Sequence, residues 1–141
     1  MSISDYGSNL LLDSMLEVAA LSATYYLALV NGEPEETDDG TDLDEPTDAA
    51  YARQAIGTGA TYWNASESGV ASFKTAVTFP TATEDWPVIN YWVLCTAVTA
   101  GEIILWGDFD EGFQVLDTQV PVVPAEALTL TIAPEEENMV L

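Results

Sequence analysis

Only two of the 141 residues, Arg53 and Lys74, carry a positive side chain, against twenty-four Asp and Glu, and there is no histidine. The formal net charge is -22. A folded surface normally mixes both signs, and repulsion within so one-sided a charge opposes compaction in dilute buffer. Molar salt shortens the Debye length to about 3 Å and removes most of that penalty. The plainest reading is a surface built for a very salty medium, with divalent-cation binding, a basic partner and mimicry of nucleic acid as alternatives. The shortage of Lys and Arg argues against binding nucleic acid, whose phosphates need them, and against docking on an anionic membrane. Without His, a Ser or Cys nucleophile lacks its usual base. With a single Cys as well, a zinc site lacks its usual ligands. Cys95 has no partner for an intrachain disulfide, so the redox compartment is unreadable, and its place in the apolar run 91–98 reads as a buried, inert thiol. The N-terminal segment carries none of the basic residues that open a secretory signal. The longest uncharged runs, 18–32 and 88–101, fall short of the ~20 residues a membrane helix needs.

What the chain does have is apolar content: 48% hydrophobic residues, four Trp and six Tyr, and a mean hydropathy of +0.13. Acidic disordered chains lack such residues, so a folded body with acids on its outside is expected, as a single domain over 1–141. Residues 4–19 read as a helix. Ser4 is a possible cap, Asp5 favours the dipole, and Leu12 with Leu16 and Leu11 with Met15 form an apolar stripe, while Gly7 weakens the first turn. Packing through Leu12, Met15 and Leu16 is predicted, so that Leu16→Asp would bury an unpaired charge. At residues 24–30 the pattern turns to β-formers and ends at Asn31-Gly32. Residues 33–48 hold nine acids with Pro34, Gly40 and Pro46 and no aromatic, and read as a long solvated loop. Short strands between turns follow at 51–56, 61–63, 71–79, 88–98, 103–109, 115–123 and 128–132, with turns at 80–87 and 110–112 and an acidic tail at 134–141. This spacing predicts a mainly β fold, an antiparallel β-sandwich over 51–132 of jelly-roll or immunoglobulin-like type with one N-terminal α-helix.

Among groups that carry chemistry, only carboxylates are plentiful. Glu84 and Asp85 beside Trp86, and Asp108, Asp110 and Glu111 near Trp106, resemble a glycosidase pair. With so many acids such neighbours arise by chance, and the reading is that of a non-enzyme with no resident cofactor. Calcium is the better use for them: Asp38, Asp42 and Asp44 alternate around Gly40. The run lacks the order of an EF-hand loop, and a merely solvated loop is the plainer reading. Arg53, in a β-segment of an acidic chain, is expected to pair with a carboxylate and orient a loop. The aromatics Tyr25, Tyr26, Trp63, Trp86, Trp92 and Trp106 read as core or subunit interface before sugar platform.

Read in order, these segments resemble the small tail-fibre-type proteins of tailed phages. The resemblance rests on the Leu-rich start "SDYGSNLLLDSML", the strand 26–30 of the "LYVAL" kind, and Tyr51-Ala52-Arg53-Gln54, like "YARQ", after a variable acidic loop. It continues through Val77-Thr78-Phe79-Pro80-Thr81-Ala82-Thr83-Glu84-Asp85-Trp86, like "ITFPTATADW", then Ile104-Leu105-Trp106-Gly107 and Ala127-Leu128-Thr129-Leu130-Thr131-Ile132. This sequence departs from the pattern in its acidity, in Pro87 and in the stretch after Ala133. The resemblance implies a virion structural protein: a multi-copy appendage on the particle exterior, either a head turret or decoration or a tail-fibre or connector module. Such a protein is assembled in the host cytoplasm and contacts capsid or tail proteins and possible host-surface receptors. With the charge, it points to a virus of a halophilic host. A closed homo-oligomer of three- or five-fold symmetry is expected, with Leu12, Met15, Leu16 and Trp92 as interface candidates and the acidic loop outward. A host-surface or glycan-binding module and an acidic DNA-mimic inhibitor are the readings from other classes.

Overall fold

The computed structural model describes residues 1–16, 18, 21 and 24–132. The chain forms β1 (Ser2–Ile3), α1 (Asp5–Met15), β2 (Thr24–Val30), β3 (Gln54–Gly57), β4 (Val70–Ser72), β5 (Val77–Thr78), β6 (Ile89–Cys95), β7 (Ile103–Phe113), β8 (Val122–Val123) and β9 (Thr129–Thr131). Five strands make one antiparallel sheet in the order β1-β7-β6-β2-β3; β4-β9 and β5-β8 are separate antiparallel ribbons. The fold is mainly β with one short N-terminal helix, as the strand-and-turn spacing predicts. The layer facing the sheet consists of the two ribbons and the loops between them.

The central strands are apolar on both sides because both sides are covered. Along β2 and β6 alternate residues enter opposite cores. Leu27, Leu29, Trp92 and Leu94 join Phe73, Val77, Phe79, Trp86, Val123 and Leu128 from the ribbon layer. Ala28, Val30, Val93 and Cys95 join Ile103 and Trp106 on the other face, where Leu43 packs against them. Burial of Cys95 pushes its thiol up to about 12, in keeping with an inert core residue. Trp92 lies over Gly107, where any side chain would meet its ring, and is 2% exposed.

Several boundaries differ from the sequence reading. The expected strand 71–79 is split between two ribbons, 61–63 contributes only the isolated bridge of Trp63 with Phe73, and 115–123 keeps only its last two residues in a strand. The Asp110-Glu111-Gly112 turn lies inside β7, which pairs with β6 at Tyr91↔Asp108 and again at Ile89↔Phe113. The uneven spacing of those pairs is a wide irregularity, and it absorbs the turn-forming residues. The tail 134–141, and residues 17 and 19 of the expected helix, lie outside the described residues.

Candidate assembly interface

Among the described residues, the hydrogen bonds that tie the helix to the rest of the chain are made at its start. Ser4 is its cap and is buried: its hydroxyl accepts the Gly7 N–H at 2.9 Å and is shared between the Ile103 and Ile104 carbonyls. The Ser4 N–H donates to the Ile104 carbonyl at 3.0 Å, and the Asp5 N–H to the Glu36 carbonyl at 3.0 Å. The sheet prepares this seat. Leu94 pairs with Leu105 but Cys95 with Ile103, so Ile104 is an extra residue, a β-bulge that turns its carbonyl toward α1. Gly7 is the point of contact, since a Cβ there would lie 2.0 Å from the Ile104 oxygen. A residue that weakens the helical turn by composition is therefore what lets the helix approach the sheet.

Past that first turn the apolar stripe faces outward. Met15 and Leu16 are 71% and 72% exposed, and Leu11, Leu12, Val18 and Leu21 are exposed as well. The expected packing through Leu12, Met15 and Leu16 is not what the structure shows. The approach at Gly7 spends the helix's contact on its opening turn and leaves the later turns beyond the sheet. Leu16→Asp in this chain would bury no charge. Between the helix and the β4-β9 ribbon runs an apolar groove of about 620 Å³, lined by Ile3, Leu11, Leu12, Leu94, Leu130 and Ile132 among others, with no charged side chain. In a chain of net charge -22, an uncharged groove beside exposed Leu and Met is the surface most out of keeping with its surroundings. Trp92, the other interface candidate, is in the core and offers no contact surface.

The acidic loop contrasts with this. Its prolines Pro34 and Pro46, with Gly40, are buried, while Glu33, Glu35, Glu36, Asp42 and Asp44 face solvent. Arg53, 5% exposed, is its hub. Its Nε and Nη2 donate to the two Glu45 carboxylate oxygens at 2.9 Å, Nη1 to the Ala97 and Ala100 carbonyls, and Nη2 also to the Gly40 carbonyl at 2.7 Å. All five guanidinium N–H groups are used. The expectation that Arg53 pairs with a carboxylate and orients a loop holds. Gly40 is needed, because a Cβ would sit 2.0 Å from the Ala100 oxygen. The Tyr51 hydroxyl donates to Glu45 at 2.6 Å and accepts the Leu29 N–H; burial, reinforced by Glu45, raises its pKa.

Asp48 is the second anchor. It is buried and accepts the Thr83 N–H and hydroxyl, the Trp86 indole N–H at 2.9 Å and the Ala50 N–H. These donors, the Thr83 hydroxyl foremost, hold its carboxyl far below the usual range. The Thr83-Glu84-Asp85-Trp86 segment is thus a clasp on Asp48, a role that spacing alone did not reveal because the partners are far apart in sequence.

Asp38 accepts the Glu35 N–H and Asp42 the Asp39 N–H, so these carboxylates cap local turns. Among the described residues no three His, Cys, Asp or Glu side chains come together as a metal-holding group, Asp38, Asp42 and Asp44 included. Glu84, Asp85, Asp108, Asp110 and Glu111 are exposed, and Asp85 accepts the Asp117 N–H. Trp86, Trp92 and Trp106 are buried, which removes three of the six aromatics considered for a sugar platform. No described helix is long and apolar enough to cross a membrane.

No curated protein matches the sequence. Residues 2–131 match the family described as Podophage GP4 fiber I protein gp80, a span that runs from β1 through β9 and takes in the Ser4 cap, the Arg53 and Asp48 anchors and most of the groove. The chain belongs to that family, a fibre-type family of tailed phages.

Proposed function

We propose that the protein is a multi-copy structural appendage on the exterior of a tailed virus particle, a head turret or decoration or a tail-fibre or connector module, working in high salt and without catalysis. Membership of a phage fibre family supports a virion structural role and contact with other virion proteins. The observation that carries the multi-copy reading is the exposed apolar group of Met15, at the end of α1, with Leu16 and Val18 just beyond it. Side chains of this type are what subunit contacts bury, and such a group repeated around an axis closes a ring without adding charge to the contact. Of the acids of residues 33–48, Glu33, Glu35, Glu36, Asp42 and Asp44 face solvent and stay hydrated. The net charge of -22 supports the salt reading, since screening relieves repulsion within and between copies.

The test is the mass of the protein in molar NaCl, followed by a search for the chain in purified virions and a whole-particle reconstruction. A closed ring of three or five copies on the particle is the expected result. A strict monomer, found in infected cells but absent from virions, would overturn the proposal. Melting temperature should also rise steeply from low to molar NaCl, and one indifferent to NaCl would remove the salt reading alone.

A further inference from the structure

We infer that the groove between α1 and the β4-β9 ribbon is the seat for a second copy of this chain, which inserts its Met15 and Leu16; the inference rests on the multi-copy reading above. One apolar stripe of α1 supplies both sides of the contact. Leu11 and Leu12 line the groove, whereas Met15 and Leu16, one turn further along the same two rows, lie past its lining and are 71% and 72% exposed. A single chain therefore carries an apolar recess and an apolar projection that does not fill it. The lining has no charged side chain, and its polar ones are Ser8, Tyr25 and Thr131. Asp13, the acid that falls within the stripe's span, is set on the opposite side of the helix by the helical period.

Charge selects the occupant. Each copy has a net charge of -22, so two copies meet at least cost where neither surface bears a carboxylate. The groove meets that condition on one side, and the Met15 and Leu16 side chains meet it on the other. A basic partner drawn to the acidic body finds no carboxylate in the groove to pair with. An unrelated apolar ligand would cover the groove and leave Met15 and Leu16 of every copy in water. A second copy removes both surfaces from water in one contact. Because the two surfaces differ, the contact is head-to-tail: each copy gives its helix end to the next and receives one from the copy before, which is the kind of contact that closes rings. Molar salt screens the acids around the contact and leaves the apolar burial in place.

The experiment mixes two variants of the full chain in molar NaCl and follows their mass by analytical ultracentrifugation. Met15→Asp spoils the projection, and Ile132→Asp spoils the groove, which Ile132 lines while 67% exposed. Substitution at such exposed sites leaves the single chain folded, which circular dichroism checks. Each variant alone should self-associate roughly tenfold or more weakly than the parent, because the contact would bury an unpaired carboxylate. Mixed, the two should form one-to-one pairs, the intact helix end of Ile132→Asp seated in the intact groove of Met15→Asp. In a separate mixture of isotopically light and heavy chains, a diazirine-bearing residue at position 15 of the light chain should crosslink to Leu11, Leu12, Leu130 or Ile132 of the heavy one. Variants that keep the parent's mass, a mixture that stays monomeric, or crosslinks confined to one chain overturn the inference. A ring whose crosslinks fall outside the neighbour's groove overturns it and leaves the multi-copy reading standing. A parent chain that is strictly monomeric overturns both.

Discussion

On one face of the sheet lies a loop of nine acids, and beside β7 lies a helix rich in leucine. Composition alone would leave the first loose and bury the second. In the folded chain the loop is tied down through Arg53, Asp48 and buried Pro34, Gly40 and Pro46, while the leucines of α1 stand open past the first turn. The difference is one of partners. The loop's groups at Gly40, Glu45 and Asp48 meet a cation and hydrogen-bond donors, so they leave water at little cost. The helix meets the Ile103, Ile104 and Glu36 carbonyls at its first turn, and its later leucines Leu11, Leu12 and Leu16 stay exposed. A polar segment with every partner present is more firmly placed than an apolar one without a wall to pack on.

The hub is where this contrast breaks most sharply. Arg53→Met should destabilise the chain by roughly 3–5 kcal/mol, read by denaturant unfolding in molar NaCl, because it strands the Glu45 carboxylate and three carbonyls. A loss below 1 kcal/mol would mean that the loop is held by packing alone.

Asp48→Asn comes next, as a lower melting temperature at neutral pH. The sign of its pH dependence follows from the depressed native pKa. Stabilisation by the carboxylate is complete above the unfolded value of about 3.9 and is lost as pH falls from there toward the native value. The gap between parent and variant should therefore narrow as pH drops below about 4. A gap constant from pH 3 to 7 would show that charge is not what holds the Thr83 and Trp86 clasp.

Gly7→Ala tests the other region. It drives a methyl into the Ile104 carbonyl and should cost about 1–3 kcal/mol unless the helix lifts away. Lifting would itself show as a gain in amide exchange at Ser4 and Gly7. The smallest effect on the single chain is expected from Leu16→Asp, within about 0.5 kcal/mol, since the side chain is 72% exposed. The same change should lower the mass of the assembly. A large loss of stability in a monomeric preparation would restore the packed helix that periodicity predicts.

Much of the fold was legible because local signals and tertiary outcome agreed. The β-formers at 24–30, the apolar run at 88–98 and the turn at Asn31-Gly32 mark β2 and β6 within a few residues. Ser4 as the cap and Arg53 as a carboxylate partner were readable from residue type. The Asp48 clasp was not, since its donors lie 35 and 38 residues away and nothing local distinguishes Asp48 from its eight acidic neighbours in the loop. Nor was the groove, which is bounded by residues from both ends of the chain.

By itself the sequence determined the mainly β class, the helix start, the apolar run of the central strand at 88–98 and the polyanionic surface. All four follow from periodicity, capping chemistry and charge, which act over a few residues or over the whole composition. Only the tertiary structure decided which segments have partners. The bulge at Ile104 and the glycine at position 7 set where the helix touches the sheet, and so which leucines are covered. Arg53 and Asp48 turned an acidic loop into a wall of the core by satisfying buried groups that a linear reading leaves in water.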